Sequence, residues 1–152
     1  MEFSPSVLSA LNSLRGVFCL WYNLSMNYRL ELDRVFSIYI RTLYANYKEE
    51  VTCYTCGEIF HWKEIQCGHF ILRSNSSTRY DKRNCRPQCA NCNEFRNGME
   101  ESFEEQLRYD LGDKEFDELM ELGKQPYSYS EDEYKELIHN YKLKIRQKGY
   151  SI

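Results

Sequence analysis

The chain has 152 residues, enough for one domain or a small domain with helical extensions. Hydrophobic residues make up 42% and charged residues 28%, which excludes a disordered or low-complexity chain. A net charge of −3 excludes a uniformly basic nucleic-acid-binding protein, so any phosphate-binding surface has to be local.

Residues 1–27 carry little readable pattern. Ser4-Pro5-Ser6 suggests a loop or helix cap, Val7, Leu8, Leu11 and Leu14 are loosely helical, and Gly16 interrupts them. The apolar run Val17 to Trp21 is too short to span a bilayer and lacks the features of a secretory signal. A packed N-terminal helix and a translation start at Met26 both remain open. From Tyr28 to Tyr47 the helical period is clear, with Leu32, Val35, Phe36, Tyr39, Ile40 and Leu43 three and four residues apart. Residues 28–50 therefore form an amphipathic helix that needs a partner.

Residues 51–100 organise the chain. They hold C-Y-T-C-G (Cys53, Cys56, Gly57) and C-A-N-C-N (Cys89, Cys92, Asn93). Two Cys-x-x-Cys pairs supply four thiolates to one tetrahedral Zn²⁺, with Gly57 free to take the positive φ of a tight turn. The spacer exceeds the roughly 15–20 residues of a compact zinc finger, so it must carry structure of its own. Ile59 to Trp62 and Glu64 to Cys67 read as two short strands, or one bent one, with His69 at the end. Arg73 to Arg79 reads as a polar, mobile contact loop with no apolar anchor. Asn91 opens a helix that Gly98 ends or kinks. Seven cysteines, an odd number with closely spaced pairs, point to metal binding in a reducing compartment and to a cytoplasmic protein. Cys67 would share the His69 face of a strand, but with the zinc already saturated Cys67 and Cys85 read as spare thiols. His61 and His139 default to structural roles.

Residues 101–152 form a helical extension. Phe103 and Leu107 mark a helix stopped by Gly112. A second, capped by Asp113, carries Phe116, Leu119 and Met120 and closes at Gly123. Ser130 and Glu133 make a capping box for a last helix with Tyr134, Leu137, Ile138, Tyr141 and Ile145 on one stripe. The expected fold class is α+β, a small ββα-metal zinc core flanked by N- and C-terminal α-helices.

The segment C-Y-T-C-G … C-G-H-F … Y-D-K-R-N … Q-C-A-N-C-N-E-F-R-N-G resembles the treble-clef-like core of HNH (His-Me finger) endonucleases, and more narrowly the phage NinG/Rap recombination proteins. That resemblance implies a metal-dependent endonuclease acting on branched DNA. It makes His69 the general base, Asn84 the residue that fixes the loop bearing it, and Asn93 a ligand of a catalytic Mg²⁺ or Mn²⁺. Many family members carry Asp immediately before the base, where this chain has Gly68. The second ligand is then sought at Asp81, Glu64 or His61. An imidazole of ordinary pKa near 6.5 is a competent base at neutral pH, and a divalent ion can stabilise the leaving oxygen. Arg73, Arg79, Lys82, Arg83, Arg86 and Arg96 are the expected phosphate contacts, against only Asp81 and Glu94 between His69 and Gly98. Two strands of a branch need two active sites, so a homodimer is one expected assembly, and no membrane partner is expected. A different reading uses the same cysteines in a non-catalytic zinc module that binds nucleic acid or protein. A third, a thiol redox protein, predicts reactive vicinal thiols without zinc.

Overall fold

The computed structural model describes residues 27–152; the expectations for residues 1–26 lie outside the described residues. It is an α+β protein. The first helix, α1, covers residues 27–43 and buries Leu32, Val35, Phe36, Tyr39 and Ile40. The sequence carries the apolar stripe to Tyr47, but the helix stops at 43. Asn46 then folds the chain over, accepting from the N–H groups of Lys48 and Glu50 with its Oδ1.

Two small antiparallel sheets follow. β1 (Glu50–Thr52) pairs with β2 (Ile59–His61), and their connection holds the first cysteine pair. Gly57 turns it at φ 77°, its N–H donating to the Cys53 carbonyl at 3.0 Å. β3 (Gln66–His69) pairs with β4 (Cys85–Gln88) in a register that sets Gly68 opposite Arg86 and His69 opposite Cys85. The two strands expected around residues 59–67 thus belong to different sheets.

The stretch between β3 and β4 is not the anchorless loop that its composition suggests. Ser76–Arg79 form a single helical turn, α2, with Thr78 and Arg79 buried. Arg79 reaches back to Asp33 on α1 at 2.7 Å, and Ser77 Oγ donates to the Leu122 carbonyl at 2.8 Å. Such tethers are invisible to local composition because their partners are distant in sequence.

After β4 the chain makes one wide turn over Asn91–Phe95, in which the Arg96 N–H bonds to the Asn91 carbonyl, a π-type step. The helix expected there ends already at Phe95, positive φ at Asn97, Gly98 and Met99 then turn the chain, and α3 (Glu100–Gly123) starts afresh. α3 is itself broken at Gly112, as expected. α4 (Glu131–Gln147) opens on the full capping box of Ser130 and Glu133.

Two apolar clusters hold these pieces. The larger joins α1, the strands, the cysteine pairs and α4 through residues such as Phe36, Tyr80, Tyr141 and Ile145. The smaller packs Phe103, Leu107, Phe116 and Leu119 of α3 against Phe70 and Ile71, just after β3. Arg41 on α1 donates to the carbonyls of Trp62 and Ile65, tying α1 to the segment that leads into β3.

Candidate metal centre and groove

The β1–β2 connection brings Cys53 and Cys56 to one point, and the turn after β4 adds Cys89 and Cys92. All four sulfurs lie within 4.8 Å of one another. Cys56 and Cys89 Sγ are 3.9 Å apart. An ion about 2.3 Å from each of four tetrahedral sulfurs sets their edges at about 3.8 Å, so the cluster fits Zn²⁺. Burial pushes the Cys53 thiol up, but backbone N–H groups of Cys89, Cys56 and Thr55 aimed at it outweigh burial and bring it down to about 6. Burial and the neighbouring sulfurs instead push Cys89 up and Cys56 up to about 12, so without an ion the cluster favours one thiolate among thiols. Four sulfurs leave no open position, so a zinc held here is structural.

His69 sits at the end of β3. Its Nε2–H donates to the Arg79 carbonyl at 3.0 Å, and its Nδ1 is buried with no hydrogen-bond partner. Burial pushes the His69 pKa down, to about 4, against the raising influence of the Arg79 carbonyl and, more weakly, of the Cys67 backbone, with the cations of Arg73 and Arg79 adding to the lowering. The ring is therefore neutral at pH 7 with its lone pair on Nδ1, but it is not the imidazole of ordinary pKa expected from the sequence: burial makes it a weaker base. Asn84, wholly buried, clamps the chain that follows His69. Its Oδ1 accepts from the Ile71 N–H at 2.7 Å, and its Nδ2 donates to the carbonyls of Ile71 and Thr78 at 3.0 and 3.1 Å.

His69 and Asn93 line the same two grooves, of about 520 and 600 Å³. Cys92 is buried in the sulfur cluster, while its neighbour Asn93 turns to the grooves and donates to Gln66 Oε1 at 2.6 Å. Gln66 in turn donates to Glu94 at 2.5 Å. Of the expected second ligands, only Glu64 borders a groove. Asp81 caps a turn and is paired with Arg83 at 2.7 Å, and His61 is paired with Glu49 at 3.1 Å. Both are committed elsewhere.

The basic residues divide as sharply. Arg79 and Arg86 are 8% and 4% exposed and cannot be surface phosphate contacts. Arg79 is ion-paired with Asp33, and Arg86 stacks on Tyr44 and Tyr54 and faces Asp110. Arg83 is engaged by Asp81. Arg73, Lys82 and Arg96 remain exposed; Arg73 lines both grooves while also pairing with Asp33 at 3.4 Å.

A family model described as Bacteriophage Lambda NinG protein matches residues 24–149. The chain belongs to the NinG family. No curated protein and no solved structure matches it. Among the described residues, no helix is long and apolar enough to cross a membrane.

Three features of this NinG-family chain escape sequence reading. Glu94 lines both grooves beside Asn93; it is the acidic residue next to the second cysteine pair, which was a usable signal. Asp33, about a third of the chain away from β4, accepts from Arg79 and from the Tyr80 hydroxyl at 2.8 Å and so holds the carbonyl that orients His69. Burial raises the Asp33 pKa, but these donors outweigh it and the net shift is downward. Lastly, Cys67 and Cys85 are not scattered spare thiols. Strand register sets His69 opposite Cys85, and the donor atoms of Cys67, His69 and Cys85 all lie within 4.8 Å of one another.

The Gly68 position also acquires a physical reason. A Cβ there would sit 2.0 Å from Gln88 Oε1 and 2.9 Å from its Cγ. Gln88 is 1% exposed and bonded to the Gly98 carbonyl at 2.7 Å and Thr55 Oγ1 at 3.2 Å. The glutamine fills the space that a side chain before the histidine would need.

Proposed function

We propose that this NinG-family chain is a metal-dependent DNA endonuclease of the HNH type, with a zinc-stapled ββα-metal core, acting on branched recombination intermediates of phage DNA. One observation carries the reading. The His69 imidazole has Nε2 fixed by a backbone carbonyl and a buried Nδ1 left without a hydrogen-bond partner, and His69 borders the grooves that Asn93 also borders.

On this reading His69 Nδ1 takes a proton from water, and the resulting hydroxide attacks phosphorus in line with the departing 3′ oxygen. The Arg79 carbonyl keeps the tautomer that leaves the Nδ1 lone pair available, and Asp33 keeps the Arg79 backbone in place through its side chain. Asn84 ties Ile71, just after β3, to Thr78 within α2, so the base stays aligned. Asn93, with Glu94 and Glu64 at the same groove, would hold Mg²⁺ or Mn²⁺, which supplies charge relief at the leaving oxygen when bound. Arg73 and Arg96 supply exposed phosphate contacts, and Arg73 borders the base. The reading makes Glu94 and Glu64 substitutes for the absent acid before the base, since Gln88 bars one from position 68.

The test is cleavage of a four-way junction and of the matching linear duplex by the full chain with Mg²⁺ or Mn²⁺. Metal-dependent cutting at the branch, absent with chelator, is the expected result. Binding of either DNA without cutting under both ions assigns the chain to the non-catalytic zinc modules instead.

A further inference from the structure

We propose that Cys67, His69 and Cys85 form a second metal site, distinct from the four-cysteine cluster, that takes a thiophilic divalent ion of the Zn²⁺ class. Three donors from two paired strands converge within 4.8 Å, and the His69–Cys85 register pair brings them together without any Cys-x-x-Cys motif. The imidazole is already prepared for the role. Nε2–H is held by the Arg79 carbonyl, the outer-shell bond that fixes the tautomer and ring plane of a metal-ligating histidine. Nδ1 is buried and has no partner, a cost that a bound cation removes. Cys67 lines both grooves and provides the way in, while Cys85 is wholly buried and closes the site from below.

Two sulfurs and one nitrogen select a soft or borderline ion, not Mg²⁺ or Mn²⁺, which prefer oxygen. Binding displaces two thiol protons to solvent and leaves zinc with three protein ligands and a fourth, open position. The consequence for cutting rests on the nuclease reading above. Zinc on Nδ1 and Nδ1 as general base are mutually exclusive, so filling this site switches cleavage off.

The test equilibrates the full reduced chain, kept in a non-thiol reductant, with micromolar free Zn²⁺, and measures bound metal per folded chain after removal of excess. Wild type is expected to hold two ions and Cys67→Ser one; His69→Gln should hold the second at least tenfold more weakly. Co²⁺ at the second site should add a thiolate-to-metal charge-transfer band that Cys67→Ser lacks. Cys67→Ser is the main variant because Cys67 is half-buried, whereas a change at Cys85 risks the fold. One ion in wild type, or equal numbers in wild type and Cys67→Ser, overturns the site. Junction cleavage is then measured on the same samples. Undiminished cutting with both sites filled overturns the switch and leaves the site. Two bound ions with no cutting under any metal overturns the nuclease reading and leaves the site.

Discussion

Two donor clusters lie on neighbouring segments of this protein and differ in how they are made. Cys53, Cys56, Cys89 and Cys92 come as two local pairs, each aimed by its own turn, and provide four like donors. Cys67, His69 and Cys85 come from paired strands, provide mixed donors and leave Nδ1 of the histidine without a partner. A closed four-sulfur set is suited to holding structure. A three-donor set beside grooves, with a poised lone pair, is suited to chemistry and to its control.

The sharpest way to break this contrast is to remove one sulfur from each cluster. Cys92→Ala should abolish folding of residues 53–98, because structural zinc in domains of this size contributes on the order of 10 kcal/mol. Cys67→Ala should leave the fold standing. Far-ultraviolet circular dichroism with zinc analysis reads both, and equal behaviour of the two variants would erase the distinction.

The next effect concerns the strand that carries the second cluster. Asp33→Ala strands the buried Arg79 guanidinium and should cost about 3 kcal/mol, measured by urea denaturation. The sign with pH follows from the lowered Asp33 pKa. Its contribution is present above the unfolded value of 3.8 and is lost as pH falls further through the folded value. Wild type should therefore lose stability more steeply than Asp33→Asn in that acid window.

Gly68→Ala should cost about 2 kcal/mol, since the new methyl meets a buried glutamine whose hydrogen bonds resist its moving. Pairing it with Gln88→Ala should recover part of the loss attributable to the collision, and strict additivity in the double-mutant cycle would contradict the contact. Smallest is Ser130→Ala, which removes the α4 cap remote from both clusters and should cost about 1 kcal/mol with no change in bound zinc.

The same contrast explains what could be read from the sequence. Local patterns were readable: the α1 stripe, the Cys-x-x-Cys pairs with Gly57 between β1 and β2, the break at Gly112 and the Ser130 capping box each depend on neighbours a few residues apart. The parts that were not readable depend on pairing. The β3–β4 register decides that Cys67 and Cys85 meet, and nothing within a ten-residue window encodes it. The Arg79 and Arg86 side chains count as positive charge in a sequence, yet Asp33 in one case and Tyr44 with Tyr54 in the other draw them inside. His69, Asn84 and Asn93 are singled out by the resemblance of the segments that carry them, and Glu94 could have been found from its place beside the second cysteine pair, while Asp33 emerges only from the tethers around it.

The most direct measurement of the central claim is the single-turnover rate of junction cleavage by wild type and His69→Ala, each first verified to be folded and to retain the four-cysteine zinc. Loss of a positioned general base predicts a fall of at least 100-fold in His69→Ala with DNA affinity preserved. Cleavage at the wild-type rate by that variant would contradict the account.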